Sequence, residues 1–333
     1  MNMQQWLNTV KQQKRKKSMP ILSFPCVSLM GISVKDLVSN SALQAKGMKL
    51  IADRYDTLAS VSMMDLSVEA EAFGATVRFS DNEVPTITGA LIASPEDAEL
   101  LKVPPVTAGR CGQYVDAIRQ AKDLIQDRPV FAGVIGPFSL AGRLMDVSEV
   151  MVNCYVEPDM VHLTLEKATE FLISYILAYK EAGANGVVMA EPLTGMLSPA
   201  LAEEFSAPYV QKIVQAVQDE NFLVIYHNCG DNIHLMVDSI LQTGAAAYHF
   251  GNAVKMSEML AKMPSDLVTM GNVDPAGQIK NGTPETVERS TKEIMQECCK
   301  YDNFVISSGC DIPPESPLEN IDAFFRAVDE YYQ

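Results

Sequence analysis

The chain has 333 residues, 47% of them hydrophobic and 20% charged, a globular balance that excludes a disordered chain. Acidic residues outnumber basic ones 42 to 26 for a formal charge of −16, so the surface is a poor partner for nucleic acid, an anionic membrane or a polyanionic substrate. Seven cysteines, at 26, 111, 154, 229, 298, 299 and 310, lack framework spacing; this excludes a disulfide-stapled domain and fits reduced thiols in a cytoplasmic protein.

A basic run from Lys11 to Lys17 precedes an apolar one over 19–32. Pro20 and Pro25 interrupt that apolar run and the basic run comes late, which argues against a signal peptide. The better reading is an N-terminal surface helix within residues 1–18, around Trp6 and Val10, followed by a first core strand. No uninterrupted run of about 20 apolar residues offers a transmembrane span.

Apolar, β-branched segments at 21–24, 57–62, 130–134, 186–190, 222–227, 245–249, 267–271 and 304–307 read as strands. Helical patterns cover 108–125, 158–182, 199–218, 284–299 and 318–332; four of them begin near a proline, and Gly183 and Gly244 sit where helices should stop. Eight strands, nearly all trailed by a helix, predict an α/β protein whose parallel sheet closes into a (β/α)8 TIM barrel, one domain over 1–333. Residues 68–101 break the rhythm, and 77–79 with 84–88 predict a hairpin inserted between the second and third barrel strands. An open doubly wound sheet is the alternative, but no Gly-x-Gly-x-x-Gly follows a strand.

In such a barrel the chemistry lies at the C-terminal strand ends. Those positions hold Glu191, His227, Cys229, His249, Asn272, Asp274 and Cys310. In Tyr226-His227-Asn228-Cys229-Gly230, residues two apart along an extended segment point the same way, so His227 and Cys229 can face one point. Imidazole and thiolate suit zinc, although a buried histidine beside an inert thiol explains the pair alone better. Cys310 at another strand end adds a third soft ligand and brings the two readings level. Glu191 is read as a metal, substrate or proton-carrying group, or as a helix cap. His249 reads as a ligand or proton donor, or as a satisfied strand-end histidine. Asp274 orients a ligand or forms an Asx-turn before Pro275. These three are the candidate catalytic residues beside the metal set His227, Cys229 and Cys310.

Four stretches resemble the uroporphyrinogen decarboxylase superfamily: Gly136-Pro137-Phe138-Ser139-Leu140-Ala141, Gly271-Asn272-Val273-Asp274-Pro275, Ser308-Gly309-Cys310-Asp311-Ile312-Pro313-Pro314, and Pro317-Leu318-Glu319-Asn320. The likeness runs from about residue 130 to the end. His-x-Cys followed by a distant Cys resembles its zinc-dependent corrinoid methyltransferase branch, which includes the methylcobamide:coenzyme M methyltransferases. That resemblance implies a (β/α)8 barrel with zinc (Zn2+) on His227, Cys229 and Cys310. It implies a methyl-corrinoid co-substrate carried by a separate corrinoid protein, and a small thiol acceptor such as coenzyme M. Tetrahydrofolate is an alternative acceptor, and a barrel that only binds a corrinoid or its carrier is a non-catalytic alternative. Decarboxylases of the family carry an arginine-rich stretch after the first strand; Phe24-Pro25-Cys26-Val27-Ser28-Leu29-Met30-Gly31 holds no arginine to meet porphyrinogen carboxylates.

Overall fold

A computed structural model describes all 333 residues. Its nine strands are β1 (Ser60–Val61), β2 (Thr76–Arg78), β3 (Thr86–Thr88), β4 (Val130–Ile135), β5 (Gly186–Ala190), β6 (Leu223–Asn228), β7 (Ala247–Phe250), β8 (Val268–Val273) and β9 (Phe304–Ser308). Seven of them form one parallel sheet in the order β1-β4-β5-β6-β7-β8-β9, while β2 and β3 form a separate antiparallel hairpin. The parallel strands are buried along their whole length, as strands packed on both faces must be.

The sheet curls, and side-chain alternation sorts its residues into two cores. Val188, Ala190, Leu223, Ile225, Ala247, Val268, Met270 and Val305 pack together on the inner face. Val187, Met189, Val224, Tyr226, Tyr248, Phe250 and Ile306 belong to the larger core between the sheet and its helices. Period 2 therefore carries the inner face on to His227 and Cys229, His249 and Ser307. The N-terminal helix Met3–Gln12, capped by the Asn2 side chain on the amide of Gln5, adds Met3, Leu7 and Val10 to the inner core. Their spacing makes one apolar helical face, and each such buried side chain contributes on the order of 1.5–3 kcal/mol.

In place of a regular first strand at 21–24, extended residues 18–22 bridge the two edges of the sheet. The Leu58 amide donates to Ser18 O (2.8 Å) on one side, and the Met19 amide donates to Ile306 O (3.0 Å) on the other. No repeating ladder forms, because Pro20 has no N–H and the Ile21 amide goes to the Ser308 hydroxyl (3.0 Å). The helix expected over 199–218 is two helices, Pro199–Phe205 and Ala207–Val217. Pro208 explains the break, since its ring clashes with the carbonyl four residues back and it offers no amide proton.

Candidate metal centre

The inner face ends in a compact donor set. His227 is the penultimate residue of β6, and Cys229 and Cys310 lie just beyond β6 and β9. One donor atom from each of His227, Cys229 and Cys310 lies within 4.8 Å of the other two. Cys310 Sγ is 3.5 Å from His227 Nε2. Around a tetrahedral zinc with Zn–S of about 2.3 Å and Zn–N of about 2.0 Å, neighbouring donors sit roughly 3.5–3.8 Å apart; the Cys310–His227 spacing matches that value, and the 4.8 Å limit on the others lies about 1 Å above it.

Strands β6 and β9 are separated by β7 and β8, so their extensions must lean together over the strand ends. Two glycines permit it. A Cβ on Gly251, just past β7, would lie against Cys229 Cβ and 2.5 Å from Cys229 Cα. One on Gly309 would come 2.8 Å from the Asn252 amide nitrogen. The Asn272 amide group donates to Gly251 O (2.9 Å) and Val254 O (2.8 Å), pinning the turn that carries Gly251. The Ile312 amide donates to Ile21 O (3.0 Å), tying the chain just after Cys310 to the bridging segment.

The two thiols polarise each other in opposite directions. The neighbouring Cys310 thiol favours the Cys229 thiolate and lowers its pKa. The proximity of Cys229, and then burial, push Cys310 up to about 12. Cys229 also lines a cleft of about 520 Å³ with Pro192, Leu193, Met196, Asp231 and Asn232, which opens the donor set to an incoming molecule.

His249 is brought to the site, directly behind His227. The two residues are paired in register across β6 and β7, their Nδ1 atoms are 2.8 Å apart, and His249 Nε2 lies 2.7 Å from Ser307 Oγ. Burial, and then the neighbouring His227, hold the His249 imidazole well below its ordinary range, so it is neutral.

Glu191 and Asp274 stand elsewhere. Glu191 follows inward-facing Ala190 by one residue, so its side chain turns out to the helix layer. There its oxygens accept the amides of Phe138 (3.0 Å) and Ser139 (2.6 Å) at the start of the helix Pro137–Met145. Burial pushes its carboxyl up to about 7 against those hydrogen bonds. Asp274 Oδ1 accepts the amides of Ala276 (3.0 Å) and Gly277 (2.8 Å), an Asx-turn opening the next helical turn.

Sequence reasoning passed over Asn228 and Ser307. Asn228 lies inside the His-x-Cys motif; its side chain donates to Glu191 O (2.7 Å) and accepts the Gly230 amide (2.9 Å), fixing the turn after Cys229. Ser307 carries no sequence signal, because its partner His249 is set by strand register.

The family model for uroporphyrinogen decarboxylase (URO-D) matches residues 21–331. A methylcobamide:CoM methyltransferase of Methanosarcina mazei is 25% identical over 271 residues, 80% of this chain and 78% of that protein. A uroporphyrinogen decarboxylase of Hydrogenovibrio crunogenus is 26% identical over 310 residues, 90% of this chain and 86% of the other. A solved methyltransferase from Methanosarcina mazei superposes with a TM-score of 0.86 at 24% identity, covering 100% of this chain and 99% of its own, and shares the fold.

Proposed function

The chain belongs to the uroporphyrinogen decarboxylase family, on the side of its methyltransferases, and from that premise we propose that it moves a methyl group from a protein-bound methyl-corrinoid to a small thiol such as coenzyme M, with zinc on His227, Cys229 and Cys310. The observation that carries this reading is the donor set: one imidazole nitrogen and two sulfurs, spaced for a single tetrahedral ion beside an open cleft. Nothing in decarboxylation calls for such a set. The segment Phe24 to Gly31, where decarboxylases of the family place arginines, holds no cation. In this reading the fold is a (β/α)8 barrel whose first stave is residues 18–22, with the β2–β3 hairpin inserted between staves two and three.

When bound there, zinc supplies the thiol chemistry: it lowers the pKa of a coordinated thiol so that a thiolate exists at neutral pH. The chain's own residues do the rest. With His227, Cys229 and Cys310 holding the ion, a four-coordinate zinc would keep one position for the acceptor sulfur. Asn228 and Asn272 hold the turns that carry Cys229 and Gly251. Glu191 fixes the first turn of the helix Pro137–Met145 beside the mouth. The cleft at Cys229 admits the acceptor, and the rim of the mouth receives the corrinoid protein. Positioning of the sulfur against the corrinoid methyl group converts an encounter into an oriented attack; the new bond is carbon–sulfur, the bond broken is carbon–cobalt, and cobalt(I) keeps the electron pair.

The test is metal analysis of the purified protein followed by thiol-dependent demethylation of methylcobalamin, read from its visible spectrum. One zinc per chain and demethylation with coenzyme M, both lost in Cys229→Ala and Cys310→Ala, are expected. Turnover with tetrahydrofolate instead would move the acceptor, corrinoid binding without turnover would make the barrel a carrier, and decarboxylation of uroporphyrinogen would overturn the proposal.

A further inference from the structure

A histidine binds a metal only through a nitrogen that carries no proton, so the position of the His227 proton decides whether the donor set works. We propose that Ser307 and His249 form a positioning relay, anchored on the Met19 carbonyl, that places the His227 proton on Nδ1 and leaves its Nε2 lone pair facing Cys229 and Cys310. The inference rests on the zinc reading above and assigns roles to Ser307 and Met19, which touch no donor atom and act through His249.

The polarity follows from counting donors. A carbonyl oxygen only accepts, and a serine hydroxyl has one proton. Ser307 Oγ donates to Met19 O at 2.7 Å. His249 Nε2, 2.7 Å from that same Oγ, must then be the donor. A neutral imidazole carries one N–H, so His249 Nδ1 is an acceptor. His227 Nδ1, 2.8 Å away, donates to it. What remains on His227 is an unprotonated Nε2, the atom 3.5 Å from Cys310 Sγ. The opposite polarity would press Met19 O against Ser307 Oγ with no proton between them, and would put a hydrogen on Nε2.

His227 is 1% exposed, His249 2% and Ser307 0%, so solvent does not compete for these hydrogen bonds. All three residues lie on the inner face by strand alternation, and register sets His227 beside His249. Such outer partners of metal-binding imidazoles fix ring orientation and tautomer, and losing one costs about 10- to 100-fold in metal affinity.

The experiment combines two readouts on the full chain: zinc affinity by competition with a chromophoric chelator, and long-range proton–nitrogen NMR of 15N-histidine protein without metal. Four histidines make the nitrogen spectrum assignable. The expected result for the unmodified apo protein is His227 protonated on Nδ1. Ser307→Ala should populate the Nε2–H form and weaken zinc about 10- to 100-fold, and Ser307→Thr, which keeps the hydroxyl, should restore both. A proton on Nε2 in the unmodified apo protein overturns the relay. So does a Ser307→Ala protein with unchanged affinity, or one with weaker zinc and an unchanged tautomer. If Ser307→Ala does not fold, the unmodified spectrum decides alone. An unmodified protein that binds no zinc overturns the functional reading, and its spectrum still decides the relay.

Discussion

Gly251→Ala tests how the donor set is brought together. The added Cβ would lie against Cys229 Cβ, 2.5 Å from Cys229 Cα and 3.2 Å from Gly309 O. Carbon atoms rest about 3.5–4.0 Å apart, so the Cys229 backbone must retreat by roughly 1 Å or more. None of these contacts is the free end of a flexible side chain, so the displacement reaches the sulfur. Metal sites tolerate about 0.2 Å in ligand distance. Without metal the turn after β6 relaxes away; binding zinc pulls it back and restores the overpacking, worth about 1–3 kcal/mol. At about 1.4 kcal/mol per tenfold, zinc should bind roughly 5- to 150-fold more weakly. The assay is a chelator-competition titration, with Gly112→Ala as control because its Cβ would meet nothing closer than 3.5 Å. A folded Gly251→Ala protein that binds zinc as tightly as the parent would refute both the packing argument and Cys229 as a ligand.

Three further outcomes are expected. Saturating zinc at about a thousand times its dissociation constant stabilises the folded chain by about 4 kcal/mol, roughly 6 °C in Tm at this size; scanning calorimetry with and without chelator reads it, and the Cys229→Ala, Cys310→Ala double variant should show no shift. Glu191→Gln should leave zinc affinity unchanged in the same titration, because the carboxylate faces the helix layer; loss of zinc would put it on the metal. Glu69 is fully buried with Oε2 unpartnered, and burial pushes its carboxyl from 4.5 to about 7. The fold thus holds this proton more tightly than the unfolded chain does, and stability is lost as pH rises from about 4.5 through about 7. Glu69→Gln should therefore be more stable than the parent at pH 8, by up to about 3 kcal/mol at 1.36 kcal/mol per pH unit, and gain nothing at pH 4; urea titrations giving an equal gain at both values would exclude a charge effect.

Strands buried on both faces read well from sequence, because a short run of β-branched and apolar residues has few other uses: the expectation at 186–190 coincides with β5, those for β4 and β9 differ by one residue at one end, and those for β6 and β8 by one or two residues at both ends. The first segment was legible only in part: Pro20 marks a missing ladder donor, but the second cause, the Ile21 amide redirected to Ser308, depends on a residue 287 positions away. The donor set was legible through parity, as His227 and Cys229 share a face. Parity also separates Glu191 from that set, one residue past inward Ala190, but strand-end position alone does not reveal it. The Asx-turn at Asp274 was legible because it is local. The place of His249 was not, because facing His227 depends on the stagger of β7 against β6.

Residues 18–22 connect the integrity of the sheet to the chemistry at its mouth. Met19 O ends the chain of hydrogen bonds that reaches His227. Ile21 O holds the Ile312 amide, two residues past Cys310. The same segment carries the backbone bonds that join β9 to the residues before β1. Two of the three donors are thus referenced to the element that bridges the sheet edges, and the third is set by a side-chain-free contact at Gly251. Donors contributed by distant strands hold one geometry only if the frame between them is rigid. An irregular segment suits that task better than a regular strand would: a strand spends its carbonyls on the ladder, whereas here Met19 O and Ile21 O are free to bind the serine and the loop that the site requires.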